Sequence, residues 1–404
     1  MLREAIPTDG PGKAWWATFD LVTGRSARRM STPCSRRSPR STSGDALRSG
    51  APAAGRPKRR NPVLLIAAGA AGLFLAANPA WAQQDFSRWE DLFSDHPSEY
   101  RARARVTSYA EEGVKDQTAD FSMIDEEVSA SGLVWQDDHD DVRLSAGVQH
   151  ENIRTGAILP DTGSTFPDEL WNVNIGATYR YLFESGVVLG GTVGVGSASD
   201  RPFHSRHEIV ESVMLFVKLP VAERDAWLLG LAYSNNRDYA NSYPVPLVEY
   251  FYNPSWDFHA MVGFPMEFLE WHPARDLTLL LIYSLIHNIH ALASYHAADP
   301  LRLYIGFDWN TERYLLADRP ETDDRFFYDE KRAKGGVRLE LGEGWSLDLS
   351  GGYAFGRKYA ESSHGFRSAF DRVDIGSGAY GLLSVEWRLG HARKEYDGKS
   401  AQDK

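Results

Sequence analysis

The sequence holds one cysteine in 404 residues, Cys34. Cys34 lies ahead of an export signal, so the exported chain is expected to contain no disulfide, no thiol nucleophile and no thiolate metal site. Also missing is any apolar run approaching the roughly 20 residues of a transmembrane helix. The strongest candidate beyond the signal, Leu277 to Ile286, is interrupted by Thr278, Tyr283 and Ser284. Positive charge is scarce where it would matter. The whole chain has 44 Lys+Arg and 55 Asp+Glu, but residues 1–82 hold 13 of the basic and 4 of the acidic ones. Residues 83–404 therefore carry 31 and 51, a net of −20. Such a chain is not a general nucleic-acid binder, because phosphate binding needs basic patches. No G-x-S-x-G or comparable signature is present, so neither a catalytic role nor a cofactor is expected.

What is present begins with an export signal. Lys58, Arg59 and Arg60 form a basic start, VLLIAAGAAGLFLAA (63–77) an apolar run, and Ala80-Trp81-Ala82 an A-x-A cleavage site. This is the three-part pattern of a secretory signal peptide over 58–82. Residues 1–57, rich in Arg, Ser, Pro and Gly, read as an unstructured presequence or a start codon assigned too far upstream. N-terminal sequencing of membrane-extracted protein is expected to begin at Gln83. A product retaining residues 1–57 would show the processing reading to be wrong.

Two-residue alternation recurs after residue 100. Trp171, Val173, Ile175, Ala177, Tyr179 and Tyr181 face one way, and Asn172, Asn174, Gly176, Thr178 and Arg180 the other. Val142 to Val148, Leu301 to Trp309 and Val337 to Leu341 repeat the pattern. It means strands with one apolar and one polar face. A soluble sandwich and a membrane barrel both use such strands, and three features favour the barrel. Aromatics stand at the ends of apolar faces, as in Trp345, Leu347, Leu349, Gly351, Tyr353 and Phe355. Polar faces carry whole charged side chains, as in Arg101, Arg103 and Arg105, which a dry core would exclude and a wet lumen accepts. Short connections such as Glu184–Gly186 alternate with long ones such as Arg154–Glu169 and Arg357–Arg372. Short periplasmic turns alternating with long extracellular loops are the rhythm of an outer-membrane barrel.

The fold expected is therefore all-β: an antiparallel up-and-down transmembrane barrel over 100–390, of about 14 strands and within 12–16. The count rises to 16 if 257–296 holds four strands, with Gly263-Phe264-Pro265 as a bulge or a turn. Residues 83–99 are expected to be a periplasmic segment, and 391–404 a charged tail.

Strand parity points Arg101, Arg103, Arg105, Asp125, Glu127, Arg143, Arg180, Arg302, Arg338, Glu340, Asp348, Glu386 and Arg388 into the lumen. Opposed basic and acidic rows set selectivity in a water-filled pore; if they pair with one another they plug the barrel. A pore or uptake channel for small solutes is the leading expectation, with a non-conducting structural or adhesion barrel as the alternative and a lipid-active hydrolase as the third. Ser284 with His290, or Ser294 with His296, would serve that third reading. Metal sites are not expected. Asp137-Asp138-His139-Asp140-Asp141 reads as a solvated hairpin turn, His204, His207 and Glu208 lie in a loop, and His290 and His296 are too far apart on one strand to share an ion.

From about Pro244 onward the chain resembles a family of bacterial outer-membrane β-barrel proteins of unknown function. The resemblance rests on Pro246-Leu247 with Tyr250, Asn253-Pro254, Gly263-Phe264-Pro265, Leu303-Tyr304 with Gly306-Phe307, Glu312-Arg313-Tyr314, Asp323 to Tyr328 with Glu330-Lys331-Arg332, and Leu347 to Tyr353. It implies a barrel in the bacterial outer membrane, with that membrane's lipids and the barrel-insertion machinery as partners, and no activity. Barrels of this kind usually end on an aromatic residue; here Trp387 stands near the end of the last strand, with the tail beyond it.

Overall fold

Side chains on a strand alternate between its two faces, and a sheet of such strands that closes on itself leaves no unpaired edge. The computed structural model describes residues 100–389, apart from 223, 238–239, 285–287, 320 and 364–368. The expected presequence 1–57, signal peptide 58–82, segment 83–99 and tail 391–404 lie outside the described residues. The strands are β1 (Tyr100–Tyr109), β2 (Glu112–Gly113), β3 (Asp120–Gln136), β4 (Asp140–Thr155), β5 (Glu169–Leu182), β6 (Val188–Ser199), β7 (Ile209–Pro220), β8 (Ala226–Ser234) and β9 (Val245–Tyr252). They continue with β10 (Phe258–Phe264), β11 (Met266–Ala274), β12 (Leu277–Ser284), β13 (Asn288–Ala298), β14 (Leu301–Tyr314), β15 (Arg325–Gly342), β16 (Trp345–Ser362), β17 (Phe370–Asp374) and β18 (Gly378–Leu389).

Sixteen of these strands pair antiparallel with their neighbours, and β1 joins both β3 and β18, so the sheet is a closed barrel. The seam runs from Tyr100↔Leu389 to Tyr109↔Tyr380 without a register shift. The short strands β2 and β17 stand outside the ring, on β3 and β16. The higher strand count holds because 257–296 contains four strands, with the chain reversing at Pro265. At that reversal β10 and β11 pair only from Phe258↔Trp271 to Met261↔Phe268. Among the described residues the one helical turn is Arg206–Glu208, capped by Ser205.

One end of the barrel carries the short turns, such as 137–139 and 343–344, and both described termini; the other carries the long loops. Asp137 shapes its turn by accepting hydrogen bonds from the backbone N–H groups of His139 and Asp140 at 2.9 Å each. The outer face is apolar along the middle of the strands: Ile175 is 58% exposed, Ile305 68% and Leu349 57%. Tyr100, Trp135, Tyr179, Trp227, Tyr252, Trp271 and Trp345 ring its short-turn edge. Tyr283 and Tyr353 lie toward the other edge. The wall is uneven in height, since β8 to β12 have 7–9 residues each and β15 and β16 have 18 each.

The alternation pattern places Arg357 in a loop, and the structure corrects this. β16 runs to Ser362, with an irregularity where Asp329 pairs Lys358 and Lys331 pairs Phe355. Gly356 takes a φ of +62°, open to glycine without strain. The extra residue turns Arg357 inward and shifts the parity of the rest of the strand.

Candidate functional site

Contacts between strands that are not neighbours identify the inner face. Going round the ring from β4 through β3, β1, β18, β16 and β15 to β14 takes six steps, yet Gln149 of β4 donates to Glu312 of β14 at 3.1 Å. Between irregularities such as that at Gly356, a strand's residues of the same parity face the same way, and all thirteen sequence-predicted side chains lie on this inner face.

Toward the short turns, the structure brings most of the thirteen together in pairs, across adjacent strands or along one. Glu386 takes Arg101 and Arg388, both at 2.5 Å. Arg302 meets Glu340 at 2.7 Å, and Arg338 meets Asp348 at 3.1 Å. Arg105 reaches Glu127 at 2.9 Å and Asp125 at 3.3 Å. Arg103 donates to Ser384 at 3.2 Å. Arg180 pairs with Asp141, outside the predicted set, at 2.7 Å. Arg143 is buried in the same wall. Two of these side chains keep substantial access: Arg388 is 49% exposed and Glu340 50%.

Toward the long loops the interior is crossed by a network whose links sequence reasoning missed, although it set Asp125 and Arg332 facing inward. Gln149 Nε2 bridges Asp125 and Glu312, at 3.1 Å each. The Tyr314 hydroxyl lies 2.8 Å from Glu151 and 2.7 Å from Glu312, and the Tyr359 hydroxyl lies 3.1 Å from the other oxygen of Glu151. Glu330 accepts from Tyr109 at 2.8 Å and from Tyr328 at 2.9 Å. Arg332 joins Glu330 at 3.3 Å and Asp308 at 3.6 Å, and Asp308 is also held by Lys334 at 2.7 Å and His290 at 2.6 Å. Arg357 donates to Tyr328 and lies over the rings of Tyr109 and Phe121, 4.6 and 5.3 Å from their centres. Glu151, Glu330 and Tyr328 share the inner face with the predicted set by register. What no local pattern carries is which strand they meet across the barrel.

Above this network the loops fold in. Phe166, from the β4–β5 loop, packs edge-on against Phe121, Phe326 and Tyr359. Asp371 pins that loop by accepting from the N–H groups of Asp161 and Thr162 and from the Thr162 hydroxyl. The β14–β15 loop reaches over to β6, where the Leu315 N–H donates to the Ala198 carbonyl at 2.6 Å. Arg319 and Arg325 extend it to the carbonyls of His207 and Asn235.

The remaining wall is of another kind. Met214, Phe216, Leu228, Leu247, Met261 and Met266 form a buried apolar cluster on the inner side of β7 to β11. The charges thus line one side of the interior and hydrocarbon the other. For the hydrolase pairs, His290 is bonded to Asp308, and Ser284 has no hydrogen bond to it among the described residues. His287 lies outside the described residues.

No family model and no curated protein matches the chain. Among solved structures it is similar to an outer membrane channel from Pseudomonas putida F1, at 9% identity and a TM-score of 0.33, over 72% of this chain and 96% of that one. It is also similar to a deletion mutant of the TodX monoaromatic hydrocarbon channel, at 10% identity and 0.33, over 75% and 92%. A third likeness is to the translocator domain of the autotransporter NalP from Neisseria meningitidis, at 13% and 0.27, over 81% and 98%. Scores this low carry no argument about what this barrel does.

Proposed function

We propose that this chain is a bacterial outer-membrane barrel that takes up small solutes and is closed at rest on its long-loop side. The observation that carries the reading is the division of the interior. Partly exposed arginines and carboxylates line the short-turn half, and a tyrosine–carboxylate–arginine network crosses the other. An outer face apolar between aromatic rings supports placement among outer-membrane lipids, inserted by the barrel-insertion machinery. We propose no catalytic role for it.

A second reading, a non-conducting structural barrel, is favoured by the inward fold of the β4–β5 loop through Phe166. Single-channel recording of the membrane-extracted protein in a planar bilayer separates the two. Brief openings are expected from a barrel closed at rest. Complete silence across voltages and added solutes would leave the structural barrel in its place.

Where the barrel conducts, Arg101, Arg103 and Arg105 should govern which ions pass, because a narrow low-dielectric wall focuses their field. Replacing all three with Gln is expected to move selectivity toward cations, since Asp125 and Glu127 then face the interior without their arginine. The shift should shrink in 1 M salt, where the Debye length is about 3 Å. Unchanged reversal potentials would place the ion path elsewhere.

A further inference from the structure

We infer that the apolar wall of the interior is a binding site for a small amphiphilic amine, with the Glu249 carboxyl as its polar partner. This rests on the reading that the barrel admits small solutes. Glu249 points inward from β9, with Leu228 and Gly263 as its cross-strand partners and Leu247 and Phe251 on either side along its own strand. It is 1% exposed. Its carboxylate accepts one hydrogen bond, from the Met266 backbone N–H where the β10–β11 ladder has ended, and Oε2 has no partner among the described residues. Gly263 gives the carboxylate a side-chain-free flank; a Cβ there would stand 2.1 Å from the Val248 carbonyl oxygen and 2.6 Å from the Glu249 Cα.

The contrast with the charged wall is the argument. There, Asp125, Asp308, Glu151 and Glu330 each have donors. Lys218, a basic side chain on this wall, lies over the Phe251 ring, 5.4 Å from its centre. A buried carboxylate oxygen without a donor costs the full loss of its hydration. An amine supplies the missing hydrogen bond, charge-assisted once the buried proton sits on its nitrogen, and a short alkyl or aromatic body covers hydrocarbon that has no lipid to face inside the barrel. Three of the surrounding side chains, Met214, Met261 and Met266, are methionines, whose unbranched thioethers repack around varied shapes. A carboxylate that served only to cap the Met266 N–H would show no preference for amines.

Calorimetry of the membrane-extracted barrel in non-ionic detergent at neutral pH, with octylammonium, octanol and octanoate as probes, tests this. Octylammonium is expected to bind about tenfold or more tighter than octanol, with octanoate weakest. Glu249→Gln should abolish the amine preference and leave octanol binding within about twofold. Equal binding of octylammonium and octanol by the wild type, or a preference that survives Glu249→Gln, would overturn the site. Should that variant fail to fold, labelling of wild-type Glu249 by dicyclohexylcarbodiimide, read by peptide mass, replaces it. Octylammonium should protect and octanol should not; equal protection would overturn the site. Amine binding without solute passage would remove the uptake reading alone, and passage without amine preference would remove the site alone.

Discussion

Replacing Arg332 with Met is expected to destabilise the barrel by about 3–5 kcal/mol, the usual cost of removing one partner from a buried ion pair. Its side chain is 8% exposed and stands between Glu330 and Asp308, with the Tyr109 hydroxyl 3.2 Å from Nη1. Asp308 keeps Lys334 and His290, so the loss falls mainly on Glu330, left buried with tyrosine hydroxyls alone. Replacing Glu330 with Gln in the same chain should recover much of the stability, because the stranded charge is gone. The urea midpoint in lipid vesicles reads both. A cost below about 1 kcal/mol, the range of an exposed pair, would show that water fills this level of the interior. If the barrel conducts, loss of this link between β15 and Tyr109 of β1 should also lengthen its openings.

Replacing Leu349 with Arg is expected to cost about 2–4 kcal/mol if the side chain lies near the bilayer midplane. Leu349 is 57% exposed on the outer face, flanked along its strand by Leu347 and Gly351, with Trp345 and Tyr353 two steps further out. Ser346→Arg supplies the control. Ser346 lies on the inner face of the same strand, in register with Glu340 and Glu386, where an added guanidinium meets carboxylates. Equal penalties at the two positions, or a protein that stays dispersed without detergent, would count against the membrane barrel.

The amino-acid sequence by itself determined the strands and their two faces. The period of two is a local property, so Arg101, Arg103 and Arg105 share a side wherever the strand ends up, and Ile175 and Leu349 lie on the opposite kind of face. The two faces alone would also suit a sandwich; closure was implied by the aromatic ends, the charged inner rows and the rhythm of short and long connections. Local pattern failed where one residue changes parity. Nothing in the run Gly356-Arg357-Lys358 announces an irregularity, and Arg357 passed for a loop residue although it stands among the rings of Tyr109, Phe121 and Tyr328.

Only the tertiary structure decided who meets whom. Gln149 and Glu312 are 163 residues apart, and Tyr109 and Glu330 are 221 apart. Such contacts depend on ring closure, strand stagger and the inward fold of loops, each set by the whole barrel at once. The same closure gathered one row each from β7 to β11 into an apolar wall and left Glu249 within it. A carboxylate on a polar face reads in sequence as one more charge; that one of its oxygens lacks a donor depends on neighbours two strands away, and only the closed barrel supplies them.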